Sequence, residues 1–464
     1  MKCGASAFVL LLLVFGVTGL TGVSAAPPAN IESLRPIRGM SYSPQPSDHK
    51  DQGKPPDAFK FDEWNPYFDS DYWNSGQRGF DFLWDDVGRG DLTRLKNQNV
   101  NLLHLYNWGT YLRDHTPFLN KAQALGIKIM VPISNYTGCV IVGGCQGIAP
   151  GAGSYQAGYD NIKKIFDNIY QGGTTPHPDA AMWGLYNEYD FGELTPSVIA
   201  FTVQAIIKIE NDAGIPAANR LPITAPVSYA LRTKAAYDQA MHPQPDYFAA
   251  EETRYKQLQP NLAVPPGVIP VMALSTAFQQ ANAQNTTTYG DATVAPMPAD
   301  FWQTRFFAAV NPFNSGPELY KYITDPIQFQ SAFPGTTPWN SLPPLFFSEM
   351  GRNIGGSTPQ TTQGQADWVL KQIQCTYPLA TNAANTTQGY FLGVTVFEYL
   401  RVNLNGDWGM FIFNNPAQFT NRPILNPINN RAIQYRQDVL IAQPVWDSVK
   451  TGFGTSQVPD FCKQ

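Results

Sequence analysis

Two glutamates stand where a carboxylate is least expected. Glu188 closes the run Met182-Trp-Gly-Leu-Tyr-Asn187-Glu188, and Glu349 closes Pro344-Leu-Phe-Phe-Ser348-Glu349. A carboxylate that ends a buried apolar segment costs free energy unless it is paired or hydrogen-bonded, so each needs a reason. Glycosidic bond cleavage supplies one for both. It requires one carboxyl kept protonated to donate to the leaving oxygen, and a second, ionised, to attack the anomeric carbon. For a single such glutamate, a structural role bonded to nearby loop amides explains the position equally well. Two of them, one preceded by Asn187, favour the chemistry.

These residues must be carried by regular elements, and the chain alternates short apolar strands with helical patterns. Strands are expected over Ile37–Tyr42, Val100–Tyr106, Ile127–Ile133, Met182–Glu188, Pro222–Val227, Phe306–Val310, Leu345–Glu349 and Gly393–Tyr399, with Tyr247–Ala250 as another sixth strand. Helical periodicity fills the gaps at Leu92–Gln98, Thr116–Leu125, Asn161–Ile169, Pro196–Asn211, Pro317–Ile323, Gln365–Gln374 and Ala432–Ile441. Eight strands interleaved with helices predict an α/β fold, a (β/α)8 TIM barrel with long βα-loop insertions. A doubly wound open sheet is the rival, but no GxGxxG follows the first strand. In a barrel the chemistry sits at the C-terminal strand ends, where Glu188 and Glu349 fall. The stretch from about 242 to 299, rich in Pro, Gln and Thr, reads as a large insertion near one mouth.

Composition narrows the partner. Of 464 residues only 14% are charged while 13% are aromatic, and the net charge is −5. That balance excludes bulk disorder and argues against nucleic acid, which needs a basic face. Neutral, ring-shaped sugars suit it better. Lys2, the apolar run Phe8–Val17 and the small residues up to Ala25 read as a signal peptide over 1–25, leaving 26–464 as one barrel domain. A retained anchor is the alternative, but the run is short for a bilayer. The expected product is secreted, extracellular or in the cell wall, without a membrane after cleavage, and a monomer. In that compartment Cys139, Cys145, Cys375 and Cys462 are expected to pair 139–145 and 375–462 among three possible connectivities. Asn135, Asn285 and Asn385 each begin a glycosylation sequon.

At this point the chain resembles a known group. Asn187-Glu188 on the fourth strand and Glu349 on the seventh resemble the acid/base and nucleophile of clan A retaining glycoside hydrolases. Within that clan the resemblance is strongest to the fungal β-1,3-glucanosyltransferases of glycoside hydrolase family 72, with families 5 and 17 as close rivals. It is carried by Leu345-Phe-Phe-Ser-Glu-Met-Gly-Arg-Asn353, Gly393-Val-Thr-Val-Phe-Glu-Tyr399, Trp408-Gly-Met-Phe411, Arg38-Gly-Met-Ser-Tyr42 and Leu103-His-Leu-Tyr106, in spaced blocks. Two positions depart from the family. His104 stands where an arginine is usual, and Phe313 where a tyrosine often bonds the nucleophile.

The resemblance implies a retaining double displacement on a β-linked polysaccharide, a β-glucan by preference. Glu188 is expected as acid and then base, Glu349 as nucleophile, and Asn187 as a partner of the sugar 2-hydroxyl. Tyr42, Tyr106, Asn311 and Trp408 lie at or past strand ends and are expected to line the sugar cleft, with Glu398 as a supporting carboxylate. Asp190, Glu193, Glu251 and Glu252 sit in loop-like contexts and are expected to be solvated. No cofactor is expected, and metal-ligand spacings such as CxxC and HExxH are missing. A metal-dependent barrel hydrolase is thereby disfavoured, as is a serine esterase, because Ala152 breaks GxSxG. The alternative to an enzyme is a non-catalytic carbohydrate-binding or cell-wall structural protein on the same scaffold.

Overall fold

The computed structural model describes residues 29–43, 81–86, 88–108, 115–143, 152–191, 194–228, 247–262, 264–265, 267–325, 328–333, 338–355, 361–381, 390–400, 408–413, 418–419, 424–425, 432–433, 436–437 and 440–464. The expected signal peptide over 1–25, Cys145, Glu193 and the Asn385 sequon lie outside these residues.

Eight strand segments of the barrel follow one another along the chain: β1 (Ile37–Ser41), β2 (Leu102–His104), β3 (Lys128–Ile133), β4 (Ala180–Leu185), β5 (Ile223–Thr224, resuming at Pro226–Ser228), β6 (Ala308–Asn311), β7 (Leu345–Met350) and β8 (Phe391–Val396). All are parallel to their neighbours. The first half of β5 pairs with β4 and its second half with β6, so the sheet closes on itself. The helices that follow the strands are α1 (Asp91–Asn97), α2 (Thr116–Leu125), α3 (Tyr155–Tyr170), α4 (Pro196–Asp212), α5 (Val268–Ala283), α6 (Gly316–Thr324), α7 (Thr362–Thr381) and α8 (Pro444–Phe453). This is the expected (β/α)8 barrel.

Alternation along the strands divides each of them between two environments. One set of side chains packs outward against the helices in the large core. The other set fills the barrel floor with Ile37, Leu102, Met130, Met182, Ala309 and Phe346, closed from below by Ile31 of the short helix Ala29–Glu32. Two residues further along β2, β6 and β7 the same inward row turns polar, with His104, Asn311 and Ser348, all buried. An apolar plug therefore carries a polar layer directly beneath the C-terminal mouth.

Three expectations are corrected. The described residues of the stretch Ala432–Ile441 are extended and not helical. Short antiparallel pairs run through it, Ile424–Leu425 with Ala432–Ile433, Gln418–Phe419 with Arg436–Gln437, and Phe411–Phe413 with Leu440–Ala442. Strand pairing of these residues with the preceding segment outweighs a helical spacing of apolar residues. The alternative sixth strand at Tyr247–Ala250 begins a helix, Tyr247–Leu258. The stretch read as an insertion contains the barrel's own fifth helix, α5, packed on α4. Residues Val268–Ser275 of α5 are all buried, so no single apolar face marks them as helical.

Beyond β8 the chain is tied back to the barrel. A disulfide joins Cys375 of α7 to Cys462 near the C-terminus, as expected, and Cys139 is also disulfide-bonded. The Cys375–Cys462 bond closes a loop of 87 residues. Replacing Cys462 with Ser is expected to lower the unfolding free energy by about 2–4 kcal/mol. Denaturant melts of the oxidised proteins measure this, and an unchanged midpoint would show that the α7–α8 packing alone holds the terminus.

Candidate active site

The acid-bearing turn follows β4. Tyr186 and Glu188 both take left-handed backbone conformations, with φ of 48° and 51°. Such values are unfavourable for large side chains and persist only where neighbouring contacts impose them. Here the Tyr186 amide donates to the Ile133 carbonyl at 2.9 Å and the Glu188 amide to the Pro226 carbonyl at 3.0 Å, so β3 and β5 grip the turn from both sides. The Tyr186 hydroxyl pairs with Thr202 of α4 at 2.6 Å. The turn re-aims Glu188 over the barrel mouth.

Glu349 is placed by a different device. Along the β7–β8 ladder, Phe347 pairs with Val394 and Met350 with Val396, so β7 advances three residues while β8 advances two. This bulge at Ser348-Glu349 breaks the strict alternation and lets adjacent residues both serve the site. The Ser348 hydroxyl donates to Asn311 Oδ1 at 2.6 Å. Glu349 accepts a hydrogen bond from the Tyr106 hydroxyl at 2.6 Å.

Asn311, fully buried at the end of β6, joins the two halves. Its Nδ2 donates to Glu188 Oε1 at 3.1 Å and to Asn187 Oδ1 at 3.2 Å. The Asn187 side chain in turn faces Glu349 and favours its charged form. Asn187, Glu188, Tyr106, Asn311 and Glu349 are thus brought together as one network. Below them His104 Nδ1 lies 2.9 Å from the Ser348 carbonyl, and its ring stacks on Tyr106 with centroids 4.5 Å apart. A carbonyl only accepts, so Nδ1 carries the hydrogen. Burial lowers this histidine to about 4, against the pull of that carbonyl, and the ring is neutral at working pH.

The remaining expected residues divide. Trp408 is half-buried and packs against Phe313 at 4.7 Å and Phe397 at 5.7 Å, with Phe397 edge-on to Tyr106 at 6.4 Å. Glu398 follows Phe397 and is buried within electrostatic reach of Tyr106. Tyr42 does not face this mouth. Only 1% exposed, it lies edge-on to Tyr399 and donates its hydroxyl to Asp91 Oδ2 at 3.0 Å. Asp91 also accepts from Tyr399 at 2.8 Å and from the Arg89 guanidinium at 2.8 and 2.6 Å. Four donors make this a buried structural hub between β1, α1 and the segment after β8, and Tyr42 belongs to it.

Two acidic residues expected on the surface are buried. Asp190 accepts from the Ser228 amide at 2.8 Å and its hydroxyl at 2.7 Å, tying the acid turn to β5. Glu251 is held by Arg254 and Thr276, while Glu252 is partly exposed. The tyrosine bonded to Glu349 also differs from expectation, since it comes from the β2 end while Phe313 takes the place beside Trp408. Sequence spacing carried no signal for that exchange, because Tyr106 and Glu349 are 243 residues apart.

The electrostatics follow from burial. Burial pushes Glu188 up to about 7, with the Asn311 hydrogen bond opposing and the Asp190 charge adding. Burial, then repulsion from Glu188, raises Glu349 well above the usual carboxylate range, and the Tyr106 and Asn187 contacts oppose that rise. Burial and Glu349 also raise Tyr106 well above its ordinary value, so its hydroxyl stays protonated and donates. Two carboxyls in one dry site release their protons in separate steps. The Tyr106 and Asn187 contacts favour the ionised form of Glu349, and the single Asn311 amide favours that of Glu188.

No protein-family model matches the chain, and neither does any curated protein. Among solved structures it is similar to Saccharomyces cerevisiae Gas2p in complex with laminaritetraose and laminaripentaose, at TM-score 0.44 and 12% identity over 91% of this chain and 64% of that one. A Gas2p complex with laminaripentaose gives TM-score 0.45 and 13% identity, over 91% and 65% of the two chains. The chain therefore spans just under two thirds of the length of these Gas2p chains.

The raised Glu188 makes a prediction independent of any substrate. The unfolded chain ionises this group near 4.5 and the folded protein near 7, so its ionisation costs stability as pH rises through that window. Glu188→Gln is expected to match the parent near pH 4 and exceed it above pH 7 by about 1–3 kcal/mol. Urea melts at the two pH values check this, and a gap that does not widen with pH would mean an unshifted carboxyl.

Proposed function

We propose that this protein is a secreted retaining glycoside hydrolase or transglycosidase that acts on β-linked polysaccharide, a β-glucan by preference. The observation that carries the reading is the pair of buried carboxyls at one barrel mouth with unequal hydrogen-bond donors. Retaining chemistry requires two carboxyl groups about 5–5.5 Å apart in different protonation states. The chain of contacts Glu188–Asn311–Asn187–Glu349 supports that arrangement, and the residue pattern around both glutamates supports the clan.

In this reading Glu349 attacks the anomeric carbon while Glu188 gives its proton to the departing oxygen, which leaves as the free hydroxyl of the released sugar. The product is a glycosyl ester on Glu349. Glu188, now ionised, takes a proton from water or from an acceptor hydroxyl as that oxygen attacks the same carbon and the ester bond breaks. Tyr106 and Asn187 stabilise the carboxylate when the ester leaves, and the Asn187 amide is placed to bond the sugar 2-hydroxyl. Phe313 and Trp408 offer a ring surface for the apolar side of a pyranose. The choice between hydrolysis and transfer lies in how well acceptor sugars compete with water for that second step.

The test is incubation with β-glucans, β-1,3-linked oligosaccharides among them, and β-mannans, with products sized over time. Shorter products mean hydrolysis, and products longer than the donor mean transfer. Glu349→Gln is expected to abolish turnover. Glu188→Gln is expected to lower kcat by ~10²–10⁴-fold on natural linkages and far less on substrates with an activated leaving group. Binding without cleavage by the parent would replace this reading with the non-catalytic one.

A further inference from the structure

The helix Asn135–Val142, inserted between β3 and α3, lies against the acid turn. Gly138 permits the approach, because a Cβ there would sit 3.2 Å from the Tyr186 ring and 2.6 Å from Leu194. Asn135, at the start of this helix, donates from Nδ2 to the Asn187 carbonyl at 2.9 Å. That carbonyl belongs to the residue between the two left-handed positions Tyr186 and Glu188. The β3 and β5 contacts hold the amides of the turn, and Asn135 holds its central carbonyl.

The same asparagine begins the sequon Asn135-Tyr-Thr. An N-glycan is attached through Nδ2, the atom bonded to Asn187, while Oδ1 is closed off from solvent and Thr137 is 3% exposed. By contrast Asn285, in the sequon Asn285-Thr-Thr, lies in an exposed turn after α5. One sequon is built into the site's support and the other is open.

We propose that Asn135 is a positioning residue for the Glu188 turn and that this sequon carries no glycan in the working protein. The role assigned to Glu188 rests on the function proposed above; the hydrogen bond and the closed sequon do not. The titratable groups around Glu188 are Asp190 on the same turn and Glu349 from β7, with Tyr106 after β2, Glu398 after β8 and neutral His104 completing the mouth. Asn135 brings no charge to that set, so its removal acts through geometry and solvent access alone.

Two variants separate the hydrogen bond from the sequon. Asn135→Ala removes both, whereas Thr137→Val removes the sequon and keeps the donor. With protein secreted from a eukaryotic host, glycopeptide mass spectrometry is expected to find a glycan on Asn285 and none on Asn135. Asn135→Ala is expected to lower kcat/KM about tenfold. It should also move the basic limb of the pH profile to lower pH as water reaches Glu188, with the pH-dependent loss of stability shrinking in parallel. Thr137→Val should leave rate and pH profile within about twofold of the parent. A glycan on Asn135 in active protein, or an Asn135→Ala variant with parental pH dependence in both rate and stability, overturns the proposal. If the parent cleaves no glycan at all, the proposed function falls, while glycan occupancy and the pH dependence of stability still decide this inference.

Discussion

The candidate site is organised by one constraint: two carboxyl groups are buried at the same barrel mouth, where ionising both at once is costly. Burial alone raises both, and repulsion adds to the rise at Glu349. What differentiates them is the distribution of donors. Tyr106 and Asn187 serve Glu349, and a single Asn311 amide serves Glu188. Asn311 contacts both sides and is itself held by Ser348, the neighbour of Glu349. Any displacement of one glutamate is therefore felt at the other through two hydrogen bonds.

Holding that network requires departures from regular backbone. A strand with strict alternation aims every second side chain into the barrel, which would give Ser348 or Glu349 to the site but not both. The bulge in β7 supplies both. At β4 the left-handed residues Tyr186 and Glu188 turn the carboxyl over the mouth, and hydrogen bonds from three directions hold them there. Under this strained rim lies a regular floor of alternating apolar residues closed by Ile31. Rigid packing below lets the rim keep a geometry it would not adopt alone.

Much of this was legible in the chain. The eight barrel strands fall on the apolar runs with their ends shifted by a few residues, because parallel strands buried on both faces read as short continuous apolar stretches. Glu188, Glu349 and Asn187 were readable from a carboxylate closing such a run. Tyr42 was misplaced because strand-end position reports height in the barrel and not direction, and its ring faces the Asp91 hub. Asp190 and Glu251 looked solvated because their partners, Ser228 and Thr276, are distant in sequence. Helix α5 was hidden by being apolar all round.

By itself the sequence determined the alternation of strands and helices and the two strand-end carboxylates, which depend on residue type and local pattern, while it left three ways to pair its cysteines. Only the tertiary structure decided which tyrosine serves Glu349, that His104 is a neutral support under the site, and that Asn135 faces the acid turn. Those are contacts between segments tens to hundreds of residues apart. They exist because barrel closure brings every strand end to a common rim, a condition that no local stretch of sequence expresses.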